Sequence, residues 1–145
     1  MIDYSKYTTT PAIPEASSMI ETFRAIGYSI EAAVADVIDN SISADAKNIW
    51  LNFDWKGSET WVSIKDDGFG MNNEELIQAM KPGSKNPLDG RNNKDLGRFG
   101  LGLKTASFSQ CRKLTVLSKK EGFLQAFWTW DLDYVKESGK WELLK

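Results

Sequence analysis

A strand–turn–strand pattern near the middle of the chain limits the fold more than any other feature of the sequence. Apolar residues alternate with polar or Trp residues over 49–53 and again over 61–64, and Lys56, Gly57 and Ser58 lie between the two runs. Strict alternation predicts strands, and a short turn between them predicts a hairpin. Because hairpin strands are antiparallel, the pattern argues against a doubly wound βαβ fold, whose parallel strands need long crossovers.

Helical and extended patterns follow one another in mixed order along the rest of the chain. We predict helices over 15–26, from the N-cap Ser29 to about 41, over 73–80 and over 101–110, and strands over 113–117 and 124–130. The chain has 145 residues, 41% of them hydrophobic, and can bury a core. We therefore predict an α/β (α+β) fold in a single domain over 1–145: a two-layer sandwich of one mixed, mostly antiparallel sheet with helices on one face, after an irregular arm over 1–14.

Composition removes several kinds of chemistry. The chain contains no His, which excludes Ser-His-Asp catalysis, Cys-His catalysis and His-ligated metals. The lone Cys111 cannot form an internal disulfide, so we expect a half-buried thiol in a reducing compartment. Eighteen basic and twenty acidic residues give a net charge of -2, which forces no nucleic-acid partner. No run of about 18 apolar residues occurs, so a cytoplasmic location without membrane contact is expected.

The first chemistry-bearing block is a pair of polar residues, Asp36 and Asn40, on the predicted second helix. Residues four apart on a helix lie above one another, so these two side chains can converge on one bound group. An amide oxygen from Asn40 suits Mg²⁺, and Asp36 could orient or deprotonate a water molecule. Taken alone, the pair is better explained as the polar flank of an amphipathic helix.

The second block begins where the second strand of the predicted hairpin ends. Asp66 is followed by Gly68 and Gly70, which permit a tight turn and close approach of the backbone to a planar ligand. A buried carboxylate there needs a donor, and an exocyclic amine is one candidate. An ordinary Asp-Gly turn is the equally good alternative.

The third block is the glycine-rich stretch over 97–104, whose backbone N–H groups could face phosphate oxygens at the start of a helix, with Lys104 as an added cation. It is not a Walker A loop, because Arg98 and Leu103 occupy positions that must be glycine. It is not a dinucleotide fingerprint either, because Thr105 occupies the place of the last glycine. A third kind of nucleotide site is required.

In this order and at these separations the three blocks resemble the GHKL superfamily of ATPases, which has the Bergerat ATP-binding fold. The resemblance covers about 30–109. It implies that Asp36 is the general base, that Asn40 ligates Mg²⁺, that Asp66 accepts from the adenine amine, and that 81–98 is the ATP lid. The implied nucleotide-binding residues are Asn40, Ala44, Asp66, Gly68, Gly70, Met71, Gly97, Phe99, Gly100, Leu101, Gly102, Leu103 and Lys104.

Within the superfamily, residues 99–107 and the turn at 66–68 look most like MORC proteins and their bacterial relatives. Two departures stand out. Asp36 replaces the usual Glu, and a side chain one methylene shorter displaces the lytic water enough to slow turnover. The sequence also stops before the Gly-Thr strand that usually completes the adenine pocket, so we expect a domain truncated at its C-terminal end.

The resemblance implies Mg-dependent ATP binding and slow hydrolysis that drives a conformational or dimerisation switch in a larger MORC-like protein, with a nucleotide-dependent homodimer and DNA as candidate partners through regions outside this sequence. Two alternatives remain open. The domain could be a nucleotide sensor that does not hydrolyse ATP, because Asp36 is short, or a catalytic domain of the histidine-kinase type.

Overall fold

The computed structural model describes residues 2–83 and 102–145. Within them, helices and strands alternate in the mixed order that the sequence predicts. In chain order the elements are α1 (Ala16–Arg24), α2 (Ile30–Ser43), β1 (Ile49–Asp54), β2 (Trp61–Asp66), α3 (Asn73–Met80), α4 (Gly102–Gln110), β3 (Lys113–Ser118), β4 (Ala126–Asp131) and α5 (Leu132–Ser138), with short 3₁₀ turns at Tyr4–Lys6 and Gly57–Glu59. The α/β fold class is confirmed.

Local capping chemistry explains where the first three helices begin. The Glu15 carboxylate accepts from the backbone N–H groups of Ser17 and Ser18 at the start of α1. The predicted cap Ser29 is confirmed, since its hydroxyl accepts from the Ala32 N–H at 3.3 Å. A reciprocal capping box between Asn72 and Glu75 starts α3. Each cap satisfies N–H groups that have no partner within the helix.

The strands form two separate antiparallel pairs within residues 2–83 and 102–145, whereas the sequence predicted one sheet. The β1–β2 hairpin runs in register from Ile49↔Asp66 to Asp54↔Trp61, and the β3–β4 hairpin runs from Lys113↔Asp131 to Ser118↔Ala126. Beyond Asp66 the chain turns away through Gly70, whose φ is +65°. The two hairpins therefore meet through turn contacts and not through a shared strand ladder.

The hydrophobic core lies between β4 and four helices, and Trp130 is at its centre. This side chain is 2% exposed and contacts Phe108 and Trp141 edge-on, with ring centroids 6.2 and 5.9 Å away. Its indole N–H donates to the Met80 carbonyl at 3.0 Å, so its burial leaves no unpaired donor. The core cluster comprises Ala16, Ile20, Leu76, Met80, Phe108, Ala126, Trp130, Leu132 and Val135.

The β1–β2 hairpin lies outside that core and leaves Phe53 55% exposed. The hairpin contacts the rest of the domain through α2, which itself packs along α4. Cys111 is half-buried, as predicted, and its Sγ lies 3.1 Å from the Ser107 carbonyl oxygen. Across the described ranges 2–83 and 102–145, no helix is both long and apolar enough to cross a membrane.

Candidate functional site

Asp36 and Asn40 lie one helical turn apart on α2, as predicted. The Asn40 amide nitrogen donates to the Asp36 backbone carbonyl at 3.0 Å. That bond engages the donor end of the amide, so its oxygen is the end suited to a cation. The Asp36 carboxylate is partly buried and Asn40 is exposed.

The start of α4 lies beside the Asp36 carboxylate. A Cβ built on Gly102 would lie 3.9 Å from Asp36 Oδ2, so the described end of the third block is next to the first block. Tyr28 lies in the same corner: burial first, and then hydrogen bonding with Asp36, raises the pKa of its hydroxyl, whereas Thr105 lowers it. The Gln110 side-chain amide donates a hydrogen bond to the Tyr28 carbonyl at 2.8 Å. Sequence reasoning missed Tyr28, although it directly precedes the cap of α2.

Asp66 at the end of β2 is joined to α2 by a side-chain hydrogen bond. Ser41 Oγ donates to Asp66 Oδ2 at 2.8 Å, and the Gly68 N–H donates to Asp66 Oδ1 at 2.9 Å. Ser41 is 3% exposed, whereas Asp66 is exposed. Sequence reasoning missed Ser41. The available signal was its place directly after Asn40 in a helix interior, where a serine needs a partner for its hydroxyl.

The turn over 66–71 packs closely on Ala44, the C-cap of α2. The Phe69 N–H donates to the Ala44 carbonyl at 3.0 Å. A Cβ on Gly68 would lie 2.7 Å from the Ala44 Cβ and 2.8 Å from its carbonyl oxygen. Only glycine fits there without displacing α2, and this close contact brings Ala44 to the second block.

Asp67 fixes the same turn from the other side. Its Oδ1 accepts from the Lys47 and Asn48 N–H groups at 2.7 and 2.9 Å, and its Oδ2 accepts from the Asn48 side chain at 2.8 Å. The Asn48 side chain, then the backbone N–H groups of Asn48 and Lys47, lower the pKa of Asp67 to about 2. The Asp67 side chain therefore anchors the turn.

The end of the turn meets the last residue of β3. The Met71 N–H donates to Ser118 Oγ at 2.7 Å, and Met71 is half-buried. Gly70 has a left-handed backbone and lies against the Lys119 carbonyl group. The structure thus places the predicted residues Asp66, Gly68, Gly70 and Met71 in one continuous turn, which packs in space against α2 on one side and against the end of β3 on the other.

The third block is described only from Gly102 onward, and the predicted site residues Gly97, Phe99, Gly100 and Leu101 lie outside the described residues, as do residues 84–98 of the predicted lid. Gly102 and Leu103 are half-buried in the first turn of α4. Lys104 is 2% exposed, and its ammonium donates to the Ala79 carbonyl at 2.8 Å. This contact attaches α4 to the C-terminal end of α3.

No group of three or more His, Cys, Asp and Glu side chains gathers as a metal site in the part of the chain that the structure describes. A cation in this region would find single oxygen ligands such as the Asn40 amide. That donor set is poor for a protein-only metal cage. It suits Mg²⁺ that keeps several waters and binds phosphate oxygens as well.

Comparison with known proteins decides the family. The model of the histidine kinase-, DNA gyrase B- and HSP90-like ATPases matches residues 28–145, a range that contains all three blocks. The chain belongs to this ATPase family. The predicted resemblance to the GHKL ATPases is therefore confirmed, and membership implies ATP binding.

Three relatives illustrate the breadth of the GHKL likeness. The chain is 33% identical over 95 residues to the ATPase morc-1 of Caenorhabditis elegans, covering 66% of this chain and 11% of that protein. It is 37% identical over 94 residues to the DNA mismatch repair protein MutL of Dictyoglomus turgidum, covering 62% of this chain and 16% of that protein. It is 36% identical over 86 residues to the chaperone protein HtpG of Rickettsia typhi, covering 52% of this chain and 14% of that protein. The chain thus spans well under a fifth of these relatives.

Proposed function

We propose that this GHKL domain binds Mg·ATP in the corner formed by α2, the 66–71 turn and the start of α4, and that it hydrolyses ATP slowly. The observation that carries the proposal is the Ser41–Asp66 hydrogen bond of 2.8 Å. It joins the helix of Asp36 and Asn40 to the carboxylate at the end of β2. The bond thereby brings together two blocks that are far apart in sequence.

The adenine end of the site is assigned to Asp66. Each of its carboxylate oxygens receives one described donor, from Ser41 or Gly68, and a carboxylate oxygen can accept more than one hydrogen bond. An exposed carboxylate already fixed in orientation can accept from an exocyclic amine with little further ordering. Met71, half-buried at the end of the turn, is assigned to contact with the base.

The phosphate end is assigned to α2 and the third block. Asp36 takes a proton from the attacking water, and backbone N–H groups of the third block, most of them outside the described residues, stabilise the γ-phosphate charge. Asn40 would hold Mg²⁺ through its amide oxygen, because its nitrogen is engaged by the Asp36 carbonyl. When bound, the ion neutralises developing phosphate charge.

Slow turnover is proposed because Asp36 is short. A displacement of the lytic water by ~1 Å can lower the rate on the order of 10²-fold. The alternative is a nucleotide sensor that binds without hydrolysis, and the same short side chain favours it. Measuring phosphate release by the wild type and by Asp36→Ala decides between them, because the substitution does not lower phosphate release if the domain is a sensor.

Calorimetric titration of ATP with Mg²⁺ tests the site. Saturable binding by the wild type that is lost in Asp66→Asn supports the proposal. Asp54→Asn is the matched control, because Asp54 is a half-buried carboxylate at the opposite end of the same hairpin, where it pairs with Lys56. Absence of saturable binding by the wild type, or equal loss in both variants, contradicts the proposed site.

At the level of the whole protein, we propose that ATP binding works as a conformational or dimerisation switch in a larger MORC-like protein. The likeness to a DNA mismatch repair protein favours DNA as a partner of the longer protein. Sedimentation with a non-hydrolysable ATP analogue tests nucleotide-dependent dimerisation, and an unchanged sedimentation coefficient contradicts it. A duplex-DNA mobility shift tests the DNA contact, and an unshifted duplex contradicts that part.

A further inference from the structure

The C-terminal end of β3 holds the turn that carries the assigned adenine contacts. Ser118 is the last residue of β3, is only 9% exposed, and accepts a hydrogen bond from the Met71 N–H at 2.7 Å. Neither the sequence pattern nor the GHKL resemblance assigns it a role. Its partner Met71 lies between the end of β2 and the start of α3, where neither a strand ladder nor a helix supplies an acceptor for its N–H.

The two residues that follow Ser118 support the same segment. The backbone of Lys119 fills the space where a Cβ on Gly70 would stand, with its carbonyl carbon 2.7 Å from that position. The Lys120 ammonium pairs with Glu75 Oε1 at 2.5 Å. Glu75 Oε2 in turn accepts from the Asn72 N–H at 2.9 Å and so caps α3. The chain from Gly70 to Glu75 is thereby attached to the end of β3 at three points.

We propose that Ser118 is a positioning residue for the adenine end of the nucleotide site: its hydroxyl fixes the Met71 backbone, and with it the distance between the 66–71 turn and the base. The inference rests on the proposed ATP site. Without the hydroxyl, the Met71 N–H is left without its buried acceptor and the turn loosens. ATP binding must then order the turn, which weakens affinity.

The expected effect is confined to affinity. Loss of one hydrogen bond that orders a binding turn weakens ATP binding by about three- to tenfold. The turnover number at saturating ATP stays unchanged, because Asp36 and Asn40 lie on α2 and not on the turn. A defect in general folding would not separate affinity from turnover in this way.

The test measures ATP affinity and turnover for the wild type, Ser118→Ala, Ser118→Thr and the control Thr115→Val. Ser118→Thr keeps the hydroxyl and should restore affinity. Thr115 lies on the same strand, and its hydroxyl bonds to that of Thr129 at 2.9 Å on the exposed face of the hairpin. Thr115→Val therefore removes a hydrogen bond from the same hairpin without touching the turn, and it should bind ATP like the wild type.

The outcomes separate the two proposals. Weaker binding by Ser118→Ala alone, with rescue by Ser118→Thr, supports the role of Ser118. Unchanged binding by Ser118→Ala, or equal weakening by Thr115→Val, overturns it while leaving the ATP site in place. If the wild type binds no ATP, both the proposed function and the role of Ser118 are wrong.

Amide hydrogen exchange in the wild type keeps the inference testable if Ser118→Ala does not fold. A Met71 amide that exchanges slowly in the free protein, and more slowly still with ATP, supports it. Exchange of the Met71 amide at the rate of a solvent-exposed amide overturns it.

Discussion

Ser41 Oγ donates to Asp66 Oδ2 at 2.8 Å, across 25 residues of sequence. The bond holds the helix of the first block against the strand that ends in the second block. With the Gly68 N–H on Oδ1, it fixes both oxygens of the carboxylate before any ligand binds. Preorganisation of this kind favours affinity, because the bound geometry needs little further ordering.

Ser41→Ala should weaken ATP binding by about three- to tenfold, because one ordering hydrogen bond to the carboxylate is lost. Calorimetric titration measures the change. Ser63→Ala is the control, since Ser63 is an exposed hydroxyl on β2. Equal affinity of Ser41→Ala and wild type would show that Asp66 needs no support from α2.

Asp36 should control turnover and not binding. Asp36→Ala is expected to lower phosphate release by about 10²-fold or more while ATP affinity changes little, because a general base is lost. Asp36→Glu should raise release, by up to the order of 10²-fold, because the longer side chain brings the carboxylate nearer the lytic water. Glu31→Gln on the first turn of α2 is the control. Release that is equal in Asp36→Ala and wild type would identify a sensor.

Local chemistry made most of the fold predictable from sequence. Ser29 as a cap, the 73–80 helix, the β1–β2 hairpin and the two strands of the second pair follow from capping residues and from alternation, which act within a few residues. The α5 helix was not predicted, because seven residues give too few turns for a periodic signal. The division into two hairpins depends on how the 66–71 turn leaves β2, which alternation does not encode.

Residue type and spacing select the candidate site residues from the sequence, but they do not predict the hydrogen-bond partners of those residues. Asp36, Asn40 and Asp66 stood out through spacing and the neighbouring glycines. The Ser41–Asp66 and Met71–Ser118 hydrogen bonds join residues 25 and 47 positions apart, and only the tertiary fold selects such pairs. Lys104 was assigned to phosphate by its motif, whereas its buried ammonium donates to the Ala79 carbonyl. A buried cation must find acceptors wherever the packing offers them.

Gly70→Ala should destabilise the domain by more than the backbone strain of placing Ala in a left-handed conformation. Gly70 has φ +65°, and an added Cβ would meet the Lys119 backbone. Gly57 has φ +59° with no heavy atom within 4 Å, so Gly57→Ala measures the backbone strain alone. We expect Gly57→Ala to lower the free energy of unfolding by about 1–2 kcal/mol and Gly70→Ala by about 1–3 kcal/mol more, because steric overlap adds to strain. Urea denaturation measures both, and equal losses would show that the turn adapts to the side chain.

The Asp67 anchor should make the turn acid-sensitive. Donation from Asn48 and Lys47 lowers the pKa of Asp67 from its usual 3.8 to about 2 in the folded protein. A lowered carboxyl pKa stabilises the folded state fully above the unfolded value, and the contribution fades as the pH falls from about 4 through about 2. The free energy of unfolding should therefore drop within this pH window. The NMR signals of the Asn48 side-chain amide, which donates to Asp67, should shift over the same window.

NMR titration of the Asp67 carboxyl carbon gives the direct measurement, and a midpoint near 3.8 would show that the anchor is not formed in solution. Glu15, whose pKa is also lowered to about 2 by Ser18 and Ser17, titrates in the same range, so a stability curve alone cannot separate them. Asp67→Asn resolves this. The stability difference between wild type and Asp67→Asn should be largest near neutral pH and should shrink below about pH 2, because the wild-type side chain is then neutral as well. A difference that stays constant with pH would assign the acid sensitivity to other carboxylates with a lowered pKa, such as Glu15 at the α1 cap.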